Sequence, residues 1–180
     1  MVRRNSLRIS STAVVISDAS PLICLAALRQ FDLLRLLHGE VLVPAAVWEE
    51  ITRTPAFSPA ASLEAAGDAR ATGWLQVTTA SNRPLVTQLE TVLDAGEAEA
   101  IALAVERAPS LLLIDERDGR HMARTLGVPL TGTLGVLLRA KALGHVPAIK
   151  PLLTELVQQH HFRLHPDLVQ QVLAEAGEAF

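Results

Sequence analysis

Short apolar segments alternate with amphipathic segments along the chain, and turn residues separate them. The first apolar segment, residues 14–17, stops at Asp18, and Ser20 with Pro21 supplies an N-cap and a first helical position. Further strands are predicted at residues 41–43, 74–77, 111–114 and 128–131, and further helices at residues 44–53, 95–107, 118–126 and 133–144. Apolar strands that alternate with helices predict an α/β fold with a mainly parallel central sheet, flanked by helices on both faces.

The remaining segments predict a loop and two additions to this α/β unit. Residues 54–62 are rich in Pro and Ser and are predicted to form a loop, which an Ala-rich helix follows. Beyond residue 146 the pattern predicts a helix, a short strand at residues 162–164 and a last helix. The first twelve residues carry three arginines but lack the apolar run and cleavage site of a signal peptide. The expected organisation is a disordered basic tail (residues 1–12), a single domain (residues 13–146) and a C-terminal helical extension packed on it (residues 147–180).

Composition and charge restrict the class of protein. Hydrophobic residues make up 49% of the 180 residues and charged residues 19%, which predicts a globular chain with a sizeable core. The single cysteine, Cys24, permits no disulfide within the chain and favours a reducing, cytoplasmic location. No apolar stretch reaches the roughly 18 residues of a membrane span, so no membrane partner is expected. The net charge of −3 argues against binding nucleic acid by bulk attraction, but bound cations could supply positive charge locally.

Carboxylates follow two of the predicted strands. Asp18 ends the first strand, and Asp115 with Glu116 ends the strand at residues 111–114. In open α/β sheets functional groups collect at the carboxyl ends of the strands, so we expect these acids at one edge. Taken singly, each is explained equally well as an N-cap or turn carboxylate.

Two further acids lie on predicted inward faces of helices. Glu97 heads a stripe of apolar residues at the spacing of one helical face, and Glu50 lies on the apolar side of its own helix. Glu99 falls on another face and is predicted to be solvated, with a supporting role behind the site as the alternative. The alternative for Glu97 is a first-turn acid favoured by the helix dipole, an effect of about 0.3–1 kcal/mol. A carboxylate directed at an apolar interior needs a cation or hydrogen-bond donor, so the acids predicted to converge are Asp18, Glu50, Glu97 and Asp115.

Acids that converge in this way predict a site for divalent cations. Like charges raise one another's pKa, and a cation keeps the carboxylates ionised. Carboxylate ligands suit Mg²⁺ or Mn²⁺ better than Zn²⁺, and the adjacent His160 and His161 lack a third ligand at a recognisable spacing. Such ions activate water and neutralise the leaving oxygen of a phosphodiester. Candidates for holding the phosphate backbone are Arg117, Arg120 and Arg124, although Arg124 fits an exposed helix face better.

Six segments, in their order along the chain, resemble the PIN-domain family. They are residues 17–23 (SDASPLI), Val43-Pro44 with residues 47–51 (VWEEI), residues 96–104 (GEAEAIALA), residues 112–117 (LLIDER), residues 132–135 (GTLG) and residues 150–153 (KPLL). The resemblance is closest to the uncharacterised VapC-like branch that carries a C-terminal helical extension, a domain of unknown function. It covers nearly the whole chain, and the order and spacing of the segments are more specific than any one of them.

The resemblance implies a three-layer PIN-like sandwich that acts as a metal-dependent endoribonuclease. Such proteins hydrolyse RNA phosphodiester bonds with Mg²⁺ or Mn²⁺. They are commonly the toxin of a toxin–antitoxin pair, often form homodimers and are inhibited by a small antitoxin protein. RNA, a cognate antitoxin and a second copy of the chain are therefore the expected partners.

The resemblance also assigns roles by position. The expected metal-binding and catalytic acids are Asp18, Glu50, Glu97 and either Asp115 or Glu116, with Asp118 a weaker candidate. Matching without gaps leaves Asp115 and Glu116 equally placed as the fourth acid. Ser20 and Thr133 are expected to hold a ligand or a bound water through their hydroxyl groups. Arg117 and Arg120 are the expected contacts to the substrate.

Other classes of function stay open on these residues. A catalytically inactive PIN-like module that binds RNA or protein agrees with the few aromatic residues and the acidic balance. A receiver-like or dehalogenase-like phosphotransfer domain also carries an Asp after its first strand. However, Asp18-Ala19-Ser20 lacks the second Asp of a dehalogenase, and Lys141 lies too late in its helix for a receiver. No Gly-x-Gly-x-x-Gly follows the first strand, which disfavours dinucleotide binding.

Overall fold

A computed structural model of the chain describes residues 14–53, 60–108, 110–159 and 164–179. The strands are β1 (Val14–Ser17), β2 (Val41–Pro44), β3 (Leu75–Thr78), β4 (Ser110–Leu113) and β5 (Leu130–Thr131). The helices are α1 (Ala19–Ala27), α2 (Leu33–His38), α3 (Ala45–Arg53), α4 (Ala60–Ala71), α5 (Arg83–Leu89), α6 (Ala95–Glu106), α7 (Arg117–Thr125), α8 (Thr133–Ala142), α9 (Lys150–Gln159) and α10 (Pro166–Glu175).

The described strands form one parallel sheet in the order β3-β2-β1-β4-β5. The central strand is β1, in which Val15 lies opposite Val41 of β2 and Ser17 lies opposite Leu113 of β4. The central strands are mostly buried on both faces, as is typical of parallel sheets covered by helices. Because all the strands run in one direction, their carboxyl ends share one edge of the sheet.

Two hydrophobic cores lie on opposite faces of the sheet. One core joins the sheet to α1, α2, α8, α9 and α10, and its fully buried residues include Leu25, Leu34, Leu137 and Leu156. The other joins the sheet to α5, α6 and α7 through Val86, Ile101 and Ala123. The predicted α/β architecture, a mainly parallel sheet between layers of helices, is confirmed.

Some element ends differ from those predicted. Helix α1 begins at Ala19 with Asp18 as its N-cap, so Ser20 and Pro21 lie inside its first turn. Strand β5 covers only Leu130–Thr131 because the chain is still closing α7 at residue 128, whose amide donates to the carbonyl oxygen of Ala123 at 2.9 Å. The segment at residues 31–37, which the pattern left unassigned, contains most of α2.

The sequence pattern missed α5. This helix has Asn82 as its N-cap, and the Asn82 side chain accepts a hydrogen bond from the Leu85 amide at 3.2 Å. Pro84 follows in the first turn, where its missing N–H leaves no helical bond unmade. An Asn followed two residues later by Pro was therefore the local signal for this helix.

The C-terminal helices share the core of the α/β unit. Leu153 and Leu156 of α9 and Leu173 of α10 belong to the same buried cluster as Val15 of β1. The division into residues 1–12, 13–146 and 147–180 stays a prediction, and residues 1–12 lie outside the described ranges. Residues 54–59 of the predicted loop and residues 162 and 163 of the predicted short strand also lie outside them. Within the described ranges no helix is long and apolar enough to cross a bilayer.

Candidate metal centre

Two neighbouring strands bring the first pair of predicted acids to the same edge. The amide of Asp18 donates to the carbonyl oxygen of Leu113 at 2.9 Å, which continues the pairing of β1 with β4 to the end of both strands. Asp18 is only 3% exposed, and its side chain makes no capping hydrogen bond to α1. Asp115 follows β4 on the same edge and is half-buried. The predicted position of both acids at the carboxyl ends of the strands is therefore observed.

Glu97 is held at this edge by the start of α6. Its amide donates to Asp94 Oδ1 at 2.8 Å, and its own Oε2 accepts from the Asp94 amide at 3.4 Å, which together form a capping box. The residue is 6% exposed, and its Oε1 is buried with no hydrogen-bond partner among the described residues. A buried oxygen without a donor is unfavourable and marks a place where a cation could bind.

Two glycines make room for the carboxylates. A Cβ at Gly96 would lie 3.0 Å from Glu50 Oε2 and 3.4 Å from Asp94 Oδ1, so both oxygens lie over the bare backbone of α6. A Cβ at Gly119 of α7 would lie 2.6 Å from Glu97 Oε1. Gly96 therefore lets Glu50 approach Asp94, and Gly119 lets Glu97 occupy its position.

The pKa values show that these acids act on one another. Burial, with added repulsion from Asp94, Glu50 and Glu97, raises the pKa of Asp18 to about 8. Burial and then Asp94 raise the pKa of Glu97 to about 7, and the same two causes raise the pKa of Glu50. We call Asp18, Glu50, Asp94 and Glu97 the acidic cluster. Its charge and its unpartnered oxygen fit a divalent cation, which would stabilise the ionised carboxylates.

Sequence reasoning missed Asp94 as a member of the acidic cluster. The spacing Asp94-x-x-Glu97 is the signature of a capping box, and both residues do cap α6. A cap signature alone gives no sign that the side chain also lies beside Glu50, because Glu50 comes from a distant part of the sequence. The signal that could have found it was an acid, rather than Ser or Asn, at the cap position three residues before a predicted site residue.

Asp115 is engaged elsewhere. Its carboxylate accepts from the Thr133 amide at 2.8 Å and from Thr133 Oγ1 at 2.5 Å, so it fixes the start of α8. Burial raises the pKa of Asp115, and the hydrogen bonds from Thr133 oppose that rise. Gly132 is required here, since a Cβ would collide with Asp115 Oδ1. Thr133 thus contacts a predicted ligand through its hydroxyl, while Asp115 is not drawn into the acidic cluster.

Two exposed acids at the start of α7, Glu116 and Asp118, act on Glu97. Glu116 and Asp118 both raise the pKa of Glu97, as secondary causes after burial and Asp94. In the described part of the chain, no three Asp, Glu, His or Cys side chains are close enough to hold one ion as they stand. Mg²⁺ commonly keeps several waters and takes only one or two protein carboxylates, so this spacing is compatible with a hydrated ion.

The other predicted site residues have distinct places. Ser20 is half-buried in the first turn of α1, and its hydroxyl makes no hydrogen bond to another described residue. Arg117 and Arg124 are exposed at the two ends of α7. Arg120 is half-buried, and its Nη1 donates to the carbonyl oxygen of Ile114 at 2.7 Å. Arg120 therefore fixes the segment that follows β4, and Arg117 is the more exposed of these two guanidinium groups.

The prediction that Glu99 is solvated is wrong. Glu99 is 3% exposed and accepts from the amides of Ala46 at 2.8 Å and Ala80 at 3.2 Å, with Arg83 Nη1 at 3.5 Å. It therefore holds the start of α3 against α6 and so helps to place Glu50. Its donors come from other elements, and the helical pattern around Glu99 gives no sign of them.

The parallel sheet and the carboxylates gathered at its edge define an α/β protein with an acid-rich site suited to divalent cations. The chain belongs to the PIN-domain family: the family model DUF3368, described as a PIN domain, matches residues 14–178. The resemblance seen in the sequence is thereby confirmed. PIN domains are generally nucleases that use divalent metals. No curated protein sequence matches the chain.

Proposed function

We propose that this protein is a metal-dependent endoribonuclease that hydrolyses RNA phosphodiester bonds with Mg²⁺ or Mn²⁺. The observation that carries the proposal is the acidic cluster itself. Asp18, Glu50 and Glu97 come from three separate segments of the chain, and burial with repulsion from Asp94 raises the pKa of each. Glu50 and Glu97 also raise the pKa of Asp18, and Glu97 Oε1 is buried without a donor among the described residues. Such an arrangement is unfavourable without a cation, and PIN domains generally use divalent metals.

Asp18, Glu50 and Glu97 would hold the ion or ions. When bound, a divalent metal activates water and neutralises the leaving oxygen of the phosphodiester. The residues of the chain fix the geometry: Asp18 is held by the pairing of β1 with β4, and Glu97 by its capping box. Arg117, exposed at the start of α7, is the proposed contact to the phosphate backbone.

The fourth acid is assigned by what already binds each candidate. Asp115 is occupied by two hydrogen bonds from Thr133, so we propose that it fixes α8 and steadies the site. Glu116 is exposed and acts on the pKa of Glu97, which favours Glu116 as the acid that meets a bound ion. Thr133 and Ser20 are the hydroxyls that could hold a ligand or water in place.

Cleavage of a defined RNA with and without Mg²⁺ or Mn²⁺ tests the proposal. Asp18→Asn is expected to lower the rate by at least the roughly 10- to 100-fold that follows from disturbing a metal ligand's partner. Asp68→Asn on α4, an exposed acid outside the acidic cluster, is the matched control and should cleave like the wild type. Equal rates for Asp18→Asn and the wild type, or cleavage that EDTA does not stop, would end the proposal.

We also propose that the nuclease is the toxin of a toxin–antitoxin pair. Membership of the PIN-domain family supports a cytoplasmic toxin that forms a homodimer and is inhibited by a small cognate antitoxin. Induction in cells should arrest growth, and co-expression of the neighbouring reading frame should relieve the arrest. Sedimentation of the purified chain at several concentrations tests the homodimer. If induction of the wild type leaves growth as unaffected as induction of Asp18→Asn does, the protein is not a toxin.

The second candidate is a catalytically inactive PIN-like module that binds RNA or protein. It is favoured by one observation, the absence among the described residues of three acids, histidines or cysteines close enough to share one ion. RNA binding that persists in EDTA, together with no cleavage under any divalent cation, would favour this module over the nuclease.

A further inference from the structure

We propose that Trp48 and Arg70 form a binding site for an unpaired base of the RNA substrate. The inference rests on the proposed function, because it concerns the substrate of the same reaction. It does not depend on the acids at the edge of the sheet. The observations that support it are a tryptophan ring partly open to solvent, an arginine stacked on that ring, and the place of the ring on the helix that carries Glu50.

Trp48 is a half-buried aromatic side chain on α3. The other aromatic side chains of the described residues, Phe31 and Trp74, are buried and pack on each other with ring centroids 5.6 Å apart. Trp48 packs against a core on one side and leaves the rest of its surface to solvent. A base that stacks here would remove this apolar surface from water, and every base has a face that can stack.

Arg70 of α4 adds a cation to this ring. Its Cζ lies 4.9 Å from the centroid of the Trp48 ring, which is within the range of a cation–π contact. Arg70 is exposed, and no described acid forms an ion pair with it. A guanidinium plane stacks on bases and its N–H groups bind phosphate oxygens. The ring and the cation together therefore match a base and the phosphate beside it.

Packing between α3 and α4 does not by itself explain the pair. A cation–π contact at an exposed site stabilises a fold only weakly. Helix α4 is already attached to the protein by Ala66 and Ala69, which are buried in the same core. The contact between Arg70 and Trp48 is therefore not needed to hold α4 in place.

Trp48 and Glu50 project from opposite sides of α3. They are two residues apart, which is a rise of about 3 Å along the helix axis. Glu50 faces Gly96 of α6, whereas Trp48 faces Arg70 of α4. The residues between them around the helix are all exposed, and they are Glu49, Thr52 and Arg53.

The exposed side of α3 gives RNA a path between the two positions. Arg53 pairs with Glu49 at 3.0 Å, so these two charges offset each other along the path. A helix with its side chains is about 10 Å across. RNA whose scissile phosphate lies at the acidic cluster can therefore cross α3 and place a neighbouring base on Trp48.

The fluorescence of Trp48 reports on this site directly. The chain has two tryptophans, and the other, Trp74, is buried. An unstructured RNA of roughly 12 nucleotides, rapidly mixed with the wild type in Mg²⁺, should quench the emission before cleavage occurs. Trp48→Phe keeps only Trp74 and should show no quench. A quench of equal size in Trp48→Phe would place the RNA elsewhere and overturn the inference.

Substitutions separate stacking from charge and from packing. Trp48→Leu keeps an apolar side chain without a ring, and Arg70→Lys keeps the charge without a planar group. We expect both to raise KM for this RNA at least about fivefold, the lower end of what one stacked base contributes. Trp48→Phe keeps a smaller ring and should raise KM less. Arg35→Lys, an exposed arginine of α2, is the matched control and should leave KM unchanged.

The outcomes separate this inference from the proposed function. KM within twofold of the wild type in both Trp48→Leu and Arg70→Lys would overturn the inference, while metal-dependent cleavage by the wild type would still support the nuclease. If Trp48→Leu does not fold, Arg70→Lys and the quench decide. If the wild type does not cleave RNA, a quench that requires Trp48 keeps the binding site and removes the nuclease. Neither cleavage nor a quench would remove both.

Discussion

Gly119 controls how close α7 comes to α6. A Cβ here would lie 2.6 Å from Glu97 Oε1 and 2.5 Å from Ile114 Cδ1. Ile114 is fully buried and Glu97 nearly so, and both side chains would have to shift within a close-packed interior to admit a Cβ. The absence of a side chain at this one residue is therefore what allows Glu97 to reach the edge of the sheet.

Gly119→Ala is expected to lower the free energy of unfolding by about 1–2 kcal/mol. Overpacking of a core typically costs about 1–3 kcal/mol, which exceeds the gain of up to about 1 kcal/mol from the better helix propensity of Ala. Because Glu97 must move, Mn²⁺ affinity should fall as well. Denaturant unfolding in EDTA measures the first effect, and calorimetric titration measures the second.

Gly67→Ala on α4 is the matched control for this prediction. Gly67 is also helical, but nothing lies within 4 Å of its Cβ position. The same substitution should therefore stabilise the protein by about 0.5–1 kcal/mol and leave Mn²⁺ affinity unchanged. A Gly119→Ala variant that is as stable as Gly67→Ala and binds Mn²⁺ normally would contradict the proposed crowding of Glu97.

Glu99 joins α6 to the start of α3 and to the segment that follows β3. The amides of Ala46 and Ala80 donate to different carboxylate oxygens of Glu99. Gln has only one side-chain oxygen, so Glu99→Gln loses one of these hydrogen bonds and places its NH₂ group against a backbone N–H. We expect a loss of about 1–3 kcal/mol in the free energy of unfolding. Since α3 carries Glu50, Mn²⁺ affinity should also fall.

Glu64→Gln provides the control for Glu99→Gln, because Glu64 is an exposed acid on α4. Unfolding in EDTA and titration with Mn²⁺ are compared for the two variants. A Glu99→Gln variant as stable as Glu64→Gln would show that Glu99 does not hold the two segments together. Lost stability with unchanged Mn²⁺ affinity would instead separate the fold from the placement of Glu50.

The elements were largely predictable from the sequence, whereas the partners of the acids were not. Asp18 and Asp115 stand directly after apolar strands, so their place at one edge follows from the parallel sheet. Which donor meets each carboxylate depends on contacts between distant segments, as Asp115 with Thr133 and Glu99 with Ala46 illustrate. The helix α5 was missed because only Asn82 and Pro84 mark its start and its apolar face is short.

One residue near the C-terminus, Glu178, connects three parts of the chain. Glu178 accepts from Lys141 Nζ at 2.5 Å, from the Ile149 amide at 2.8 Å and from the Lys150 amide at 2.9 Å. It thereby joins the end of the chain to α8 and to the first turn of α9. Helices α9 and α10 cover one of the two cores. The hydrogen bonds of Glu178 therefore stabilise the same core that contains Val15 of β1.

Glu178→Gln should lower the free energy of unfolding at pH 7 by about 1.5–3 kcal/mol, the range for hydrogen bonds to a charged group. Burial would raise the pKa of Glu178, but the bonds from Lys141, Ile149 and Lys150 outweigh it and lower the pKa from 4.5 to about 2. A carboxyl whose pKa is lowered on folding stabilises the protein above pH 4.5, and this stabilisation is lost as the pH falls toward 2.

The difference in the free energy of unfolding between the wild type and Glu178→Gln should therefore be constant near neutral pH and shrink below about pH 4.5. Urea unfolding from pH 7 to pH 3 measures it, with the exposed Glu175→Gln of α10 as control. A difference that does not change with pH would mean that the ionised carboxylate is not what holds the C-terminal segment in place.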